Sequence, residues 1–155
     1  MYTIDASVWV NGFDHREPGH VTSRQLLELL RVQGLPLIEP MLVLAEVAGA
    51  ISRTRQDPAR AQAFAIALGQ LPNVTLVPCD IALGQRALEL AAQHGLRGAD
   101  AVYAAVARHA ACTLISLDNE HLTRLTDIVR VQTPEEALAE LSPPPEEAPA
   151  SCPSC

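Results

Sequence analysis

Four acids in this sequence stand among neighbours that give them little ordinary reason to be there. Asp5 closes the short apolar run YTID and Asp118 closes TLISLD. Glu46 interrupts LVLAEVAGA, and Asp100 stands in HGLRGADAVYAAVA ahead of seven residues that carry no charge. A helix that is apolar all round expects burial, yet a carboxylate is among the groups least often buried without a partner. Each Asp has a plain explanation when taken alone. Asp after a strand is a frequent N-cap, and Asp in a first helical turn is favoured by the helix dipole. Glu46 has neither, because it falls in mid-helix with Leu42, Val43, Val47 and Ala50 around it. If all four converge, two unit charges about 6 Å apart at an effective dielectric near 20 repel by about 3 kcal/mol. Summed over every pair, that approaches the stability of a whole domain, about 5–15 kcal/mol. Such a cluster calls for protons or a cation. Oxygen donors without His or Cys suit Mg²⁺ or Mn²⁺, an arrangement that can activate water against a phosphodiester.

The elements around these acids alternate between short apolar runs and helical periods. Tyr2–Asp5 reads as a strand, with Ser7 placed to cap a following turn. Thr22–Gln33 is helical and Gly34 ends it. Pro36–Pro40 is a strand, Met41–Arg55 a helix, and Asp57–Pro58 the cap and first position of another. Val74–Pro78 is a strand, and Asp80 opens a helix that Gly95 ends. Gly98 then lets the chain turn into the helix of Asp100. Thr113–Asp118 lacks alternation and reads as a strand buried on both faces. Ile128–Gln132 is a last strand, and TPEEALAEL starts with the pattern of a capping box. Strands alternating with helices predict an α/β domain around a parallel sheet covered on both faces. In such sheets ligands bind beyond the carboxyl ends of the strands, where Asp5 and Asp118 fall.

Composition bounds the reading. The 155 residues fit one domain. Residues 1–141 form it, and the Pro-rich, apolar-poor stretch from Ser142 to Cys155 is expected to be disordered. No apolar stretch is long enough to span a membrane and no basic leader opens the chain, so the protein is expected in the cytoplasm. The net charge of −7 argues against a surface that coats nucleic acid, although acids gathered at a metal would account for much of it. Cys79 and Cys112 adjoin strands and read as small core residues. Cys152 and Cys155 form a lone CxxC, without the second pair a zinc site needs. The five His are scattered, and each reads as solvent-facing or internally satisfied. All basic residues other than His are Arg, and there is no Lys. That removes phosphoryl-transfer enzymes built on an active-site Lys, and P-loop nucleotide binding with them.

In their order and spacing, Asp5 after a short first strand, Glu46 in LAEV, Asp100 in RGADAVYAAVA and Asp118 in SLD resemble the PIN-domain ribonucleases, specifically the VapC-type toxins of toxin–antitoxin pairs. The resemblance runs from residue 1 to about 141. It implies a three-layer α/β fold with a parallel five-stranded sheet flanked by helices. It also implies a quartet, Asp5, Glu46, Asp100 and Asp118, that binds Mg²⁺ or Mn²⁺, with Asp5 and Asp100 as direct ligands and the other two completing the shell partly through water. Ser116 stands where the family usually has Thr, Glu120 where a further acid is common, and Ser7 where a supporting donor fits. His121 replaces the usual Phe. The implied activity is metal-dependent endonucleolytic hydrolysis of RNA. The implied partners are an antitoxin and a second copy of the chain. Arg16, Arg53, Arg55 and Arg97 are candidates for phosphate contact. A non-toxin nuclease and a catalytically silent binding module of the same fold remain the alternatives.

Overall fold

The computed structural model describes residues 1–142. Apart from Ser142, the Pro-rich tail and its two cysteines lie outside the described residues. The elements run β1 (Tyr2–Ile4), α1 (Ala6–Phe13), α2 (His20–Val32), β2 (Leu37–Pro40), α3 (Leu42–Arg55), α4 (Pro58–Gly69), β3 (Val74–Val77), α5 (Ile81–His94), α6 (Gly98–His109), β4 (Thr113–Ile115), α7 (Asn119–Arg124), β5 (Val131–Gln132) and α8 (Pro134–Leu141). The five strands form one parallel sheet in the order β3-β2-β1-β4-β5. No helix among the described residues is long and apolar enough to cross a membrane.

The strand order carries the main consequence. From β1 the chain adds β2 and then β3 on one side, and then crosses back to add β4 and β5 on the other. Connections therefore leave the carboxyl ends of β1 and β4 in opposite directions and open a crevice between them, the switch point where open α/β sheets bind ligands. β1 and β4 pair through all three residues, Tyr2 with Thr113, Thr3 with Leu114 and Ile4 with Ile115. By contrast, β1 and β2 match only at Tyr2 and Leu37. Further along, the Ile4 N–H donates to Glu39 Oε1 at 2.8 Å, so a side chain takes the place of the ladder.

Local chemistry sets the helix starts. Asp5, Asp57, Asp80 and Asp118 each accept a backbone N–H from the first turn of the following helix. Thr133 and Glu136 form the expected capping box. Ser7 is not a cap: Asp5 caps α1, and Ser7 Nα is the donor, at 3.0 Å. Gly95 has a φ of 63° and ends α5 as expected. Gly98 does not have that role, because it starts α6 at an ordinary φ with open space where a Cβ would be. The small residues of α6 let it lie against β1, β2 and β4, and Ala101, Ala104 and Ala107 are fully enclosed. Cys112 is buried as expected, but Cys79 is exposed, because it follows the edge strand β3 in the turn before α5.

Candidate active site

The four acids arrive from four directions. Asp5 directly follows β1 and Asp118 lies three residues past β4, on either side of the switch point. Glu46 projects from α3, and Asp100 from the first turn of α6, which packs across the same strands. All four line one open groove of about 840 Å³, together with Ser7. The structure thus gathers all four around the crevice that the strand order creates.

Beneath the groove runs a network that ties three of them together. The Ser7 hydroxyl donates to Asp5 Oδ2 and accepts the Leu117 N–H at 3.2 Å, joining the β1–α1 corner to the loop after β4. Ser116 Oγ accepts the Asp118 N–H at 3.0 Å and lies 3.4 Å from Asp5 Oδ2. It also lies 2.8 Å from Nδ1 of His121. The His121 ring is 1% exposed, and its Nε2 lies 3.1 Å from Asp100 Oδ1. An unprotonated nitrogen there would set its lone pair against the carboxylate, so Nε2 carries a proton. That contact is electrostatic and not an aligned hydrogen bond, for Nε2 is without a hydrogen-bond partner among the described residues; the other carboxylate oxygen, Asp100 Oδ2, is unpartnered as well. None of the five His carried a functional assignment from sequence, and His121 is the correction: it sits between two of the acids. The signal was its place in the family pattern, where a Phe cannot meet a carboxylate and a His can.

Two further buried groups were not foreseen. Tyr103, three residues past Asp100, donates its hydroxyl to Glu46 Oε2 at 2.6 Å. No spacing rule links positions on separate helices, so sequence held no sign of that bond. Burial raises the phenol pKa and the neighbouring Glu46 raises it further, so Tyr103 stays a donor. Glu39, in mid-strand, has no exposed surface. Burial lifts its pKa well above the usual carboxylate range, the Ile4 N–H opposes the rise and Asp5 adds to it. Its signal was visible as an acid between Ile38 and Pro40 in a central strand.

Electrostatics within the groove follow from the same crowding. Glu46 is pushed up by burial, held back by the Tyr103 hydroxyl, and pushed up again by Asp5 and Asp100. Asp100 is pushed up by burial, held back by His121, and pushed up by Asp118. Glu46 and Asp100 are therefore short of positive charge, and Asp100 keeps one oxygen without a partner among the described residues. An all-oxygen donor set with an orphaned carboxylate oxygen fits a hard divalent cation. Among the described residues no three such side chains close into a cage by themselves. A cation held here would need part of its shell from water or from a ligand oxygen.

The supporting residues divide. Ser7 and Ser116 hold Asp5 and Asp118 as described. Glu120 does not line the groove. It caps nothing and pairs with Arg97 at 3.1 Å. Of the arginines, Arg16 and Arg55 both pair with buried Asp14, while Arg53 and Arg97 line the groove.

The fold and the groove can be set beside known proteins. A family model described as PIN domain matches residues 2–128. No curated protein matches the chain in sequence. Among solved structures the chain is similar to VapC20 of Mycobacterium tuberculosis, described as a sarcin-ricin loop cleaving toxin, with 20% identity and a TM-score of 0.71 over 85% of this chain and 99% of that one. It is similar to PAE2754 from Pyrobaculum aerophilum at 22% identity and a TM-score of 0.65, over 90% of this chain and 95% of that one. It is also similar to VapBC2 from Rickettsia felis bound to a promoter DNA fragment, at 16% identity and a TM-score of 0.63, over 85% and 97% of the two chains. At these identities the likeness is one of fold, and it agrees with the five-stranded parallel sheet found here. With the family model covering most of its length, the chain belongs to the PIN-domain family.

Proposed function

We propose that this protein is a metal-dependent endoribonuclease and acts as the toxin of a VapBC-type pair. The observation that carries the reading is the convergence of Asp5, Glu46, Asp100 and Asp118, from four separate elements, on one groove at the switch point of the sheet. The similarity to toxin structures, several of them solved with antitoxin or promoter DNA, supports the toxin role. We read residues 1–141 as the whole domain, because β5 and α8, beyond the matched segment, complete the sheet and pack on α2.

In this reading the quartet holds Mg²⁺ or Mn²⁺, with Asp5 and Asp100 as direct ligands and Glu46 and Asp118 completing the shell. The cation supplies charge to activate water and to offset charge building on the phosphoryl oxygens. The chain's own residues do the positioning. Ser7 donates to the Asp5 carboxylate, Ser116 Oγ meets Nδ1 of His121, whose Nε2 side faces Asp100, and Tyr103 orients Glu46. With no His or Lys in the groove lining, proton removal falls to the carboxylates and to water. An antitoxin and a second copy of the chain are the partners we assign, in the cytoplasm.

The test is cleavage of a structured RNA by the purified chain with Mg²⁺ or Mn²⁺. Cleavage that disappears in Asp5→Asn and Asp100→Asn, both folded, supports the reading. Cleavage that survives both substitutions removes the assigned site. Growth arrest on expression that Asp100→Ala relieves supports the toxin role, and unaffected growth with an active nuclease favours a non-toxin enzyme.

A further inference from the structure

Four arginines are candidates for touching a polyanion, and the structure separates them. Arg16 and Arg55 are committed to Asp14. Arg97 lines the groove but is held by Glu120. Arg53 lines the groove and makes no ion pair among the described residues. Its place on α3 is specific. Glu46, Ala50 and Arg53 follow one another at helical spacing on one face, and all three line the groove. Between them lies Gly49. A Cβ built on Gly49 would come 3.2 Å from Nη1 of Arg53, tighter than ordinary contact. The guanidinium is thus folded back along the helix over the glycine, in the direction long helical side chains lean. Leaning from residue 53 to residue 49 covers about 6 Å of the roughly 10 Å of rise that separates Arg53 from Glu46. The charge ends about one turn from the acid.

We propose that Arg53, given room by Gly49, is a phosphate-binding residue that holds the RNA backbone beside the acidic quartet. The inference rests on the nuclease reading above. A polyanion entering a groove lined by five carboxylates, the quartet and Glu17, is repelled everywhere except at bound metal and at fixed positive charge. An unpaired guanidinium supplies that charge with two parallel donors matched to phosphate oxygens. Phosphate contacts set register and carry no sequence information, so Arg53 determines where the backbone lies and not which bases are cut.

The experiment uses the full chain and a fluorescein-labelled single-stranded RNA. Binding is followed by anisotropy in the Asp100→Asn background across a range of KCl, and cleavage is followed in the otherwise unchanged protein. Arg53→Gln is expected to weaken binding about tenfold and to lower the salt slope by about 0.7, one phosphate contact on a single strand. It is expected to raise KM while leaving kcat within about twofold. Arg53→Lys is expected to keep the slope and lose part of the affinity. Gly49→Ala, which adds helix propensity, is expected to shift the guanidinium by a few tenths of an ångström, to weaken binding less than Arg53→Gln does, and to have no further effect on Arg53→Gln. Unchanged affinity and slope in Arg53→Gln would overturn the proposal. So would a Gly49→Ala effect of the same size with and without Arg53, or a lowered affinity for Mn²⁺ with RNA binding intact, which would make Arg53 a counter-ion of the acids. If the unchanged protein cleaves no RNA, the nuclease reading fails, and the anisotropy arm still decides the role of Arg53.

Discussion

Replacing Glu39 by Gln is expected to stabilise the protein, by an amount that grows with pH. Glu39 is sealed inside the sheet, and the one hydrogen bond its side chain makes among the described residues is the Ile4 N–H it accepts on Oε1. Its other oxygen has no partner among the described residues. Burial keeps the acid protonated well above its usual range in the folded chain, whereas the unfolded chain releases the proton near pH 4.5. The folded state then binds one more proton than the unfolded state, so stability falls as pH rises through that interval. The slope for one proton is about 1.4 kcal/mol per pH unit. Against the roughly 5–15 kcal/mol typical of a domain, each pH unit over which the folded chain alone holds that proton matters. Gln keeps the shape and the carbonyl that accepts from Ile4, but has no proton to lose. Urea unfolding in EDTA, so that no metal binding enters, should show the two curves close at pH 5 and diverging toward pH 8, with Glu39→Gln the more stable. Glu39→Leu serves as the control: it also has no proton to lose but leaves the Ile4 N–H unpaired, so it should lie about 1–3 kcal/mol below the Gln variant at every pH. A constant gap between the Gln variant and the parent, or a Gln variant less stable at pH 8, would refute the argument.

Three other outcomes are expected. Tyr103→Phe removes the hydroxyl on half-buried Glu46, so it should cost about 1 kcal/mol in urea unfolding and move the Glu46 titration upward in a carboxyl NMR experiment. His121→Phe leaves Asp100 without its facing N–H and Ser116 Oγ without its ring contact. In metal-free protein it should cost about 1–3 kcal/mol, and saturating Mn²⁺ should recover part of that loss, as thermal melts with and without the ion would show. Asp14 is held down to about 2, chiefly by its hydrogen bonds from Arg16. Its contribution is present above the ordinary Asp pKa and is lost as pH falls toward 2, so Asp14→Asn should flatten the acid limb of the stability profile between pH 4 and pH 2.

Periodicity carried the architecture. The apolar runs and the Asp, Pro and Gly punctuation place the five strands and the helices that were expected, with ends shifted by a few residues. Thr113–Asp118 and Ile128–Gln132 each lose three residues, the first to Thr113–Ile115 and the second to Val131–Gln132, the two that pair with β4. Residues 6–13 and 119–124 were harder. Both follow an Asp that reads as a strand end, and both are short enough for capping and packing to decide over pattern. The quartet was legible because each acid breaks the pattern of its own segment. The groups that hold the quartet were not. The Tyr103 bond to Glu46 spans 57 residues and His121 meets Asp100 from another helix. Such contacts exist only once the sheet order is fixed. Glu39 broke its pattern as plainly as Glu46 did, but it points into the sheet and not to the groove.

Asp5 and Asp118 do two jobs, facing the groove and capping α1 and α7. Loss of such a cap typically costs about 0.5–2 kcal/mol. Glu46 and Asp100 cap nothing. The consequence is evolutionary. A catalytically silent member of this fold would stay under selection to keep Asp5 and Asp118 for the sake of folding, and would be released from keeping Glu46 and Asp100. Among relatives of this chain, the mid-helix Glu and the α6 Asp are therefore the better witnesses to a living enzyme.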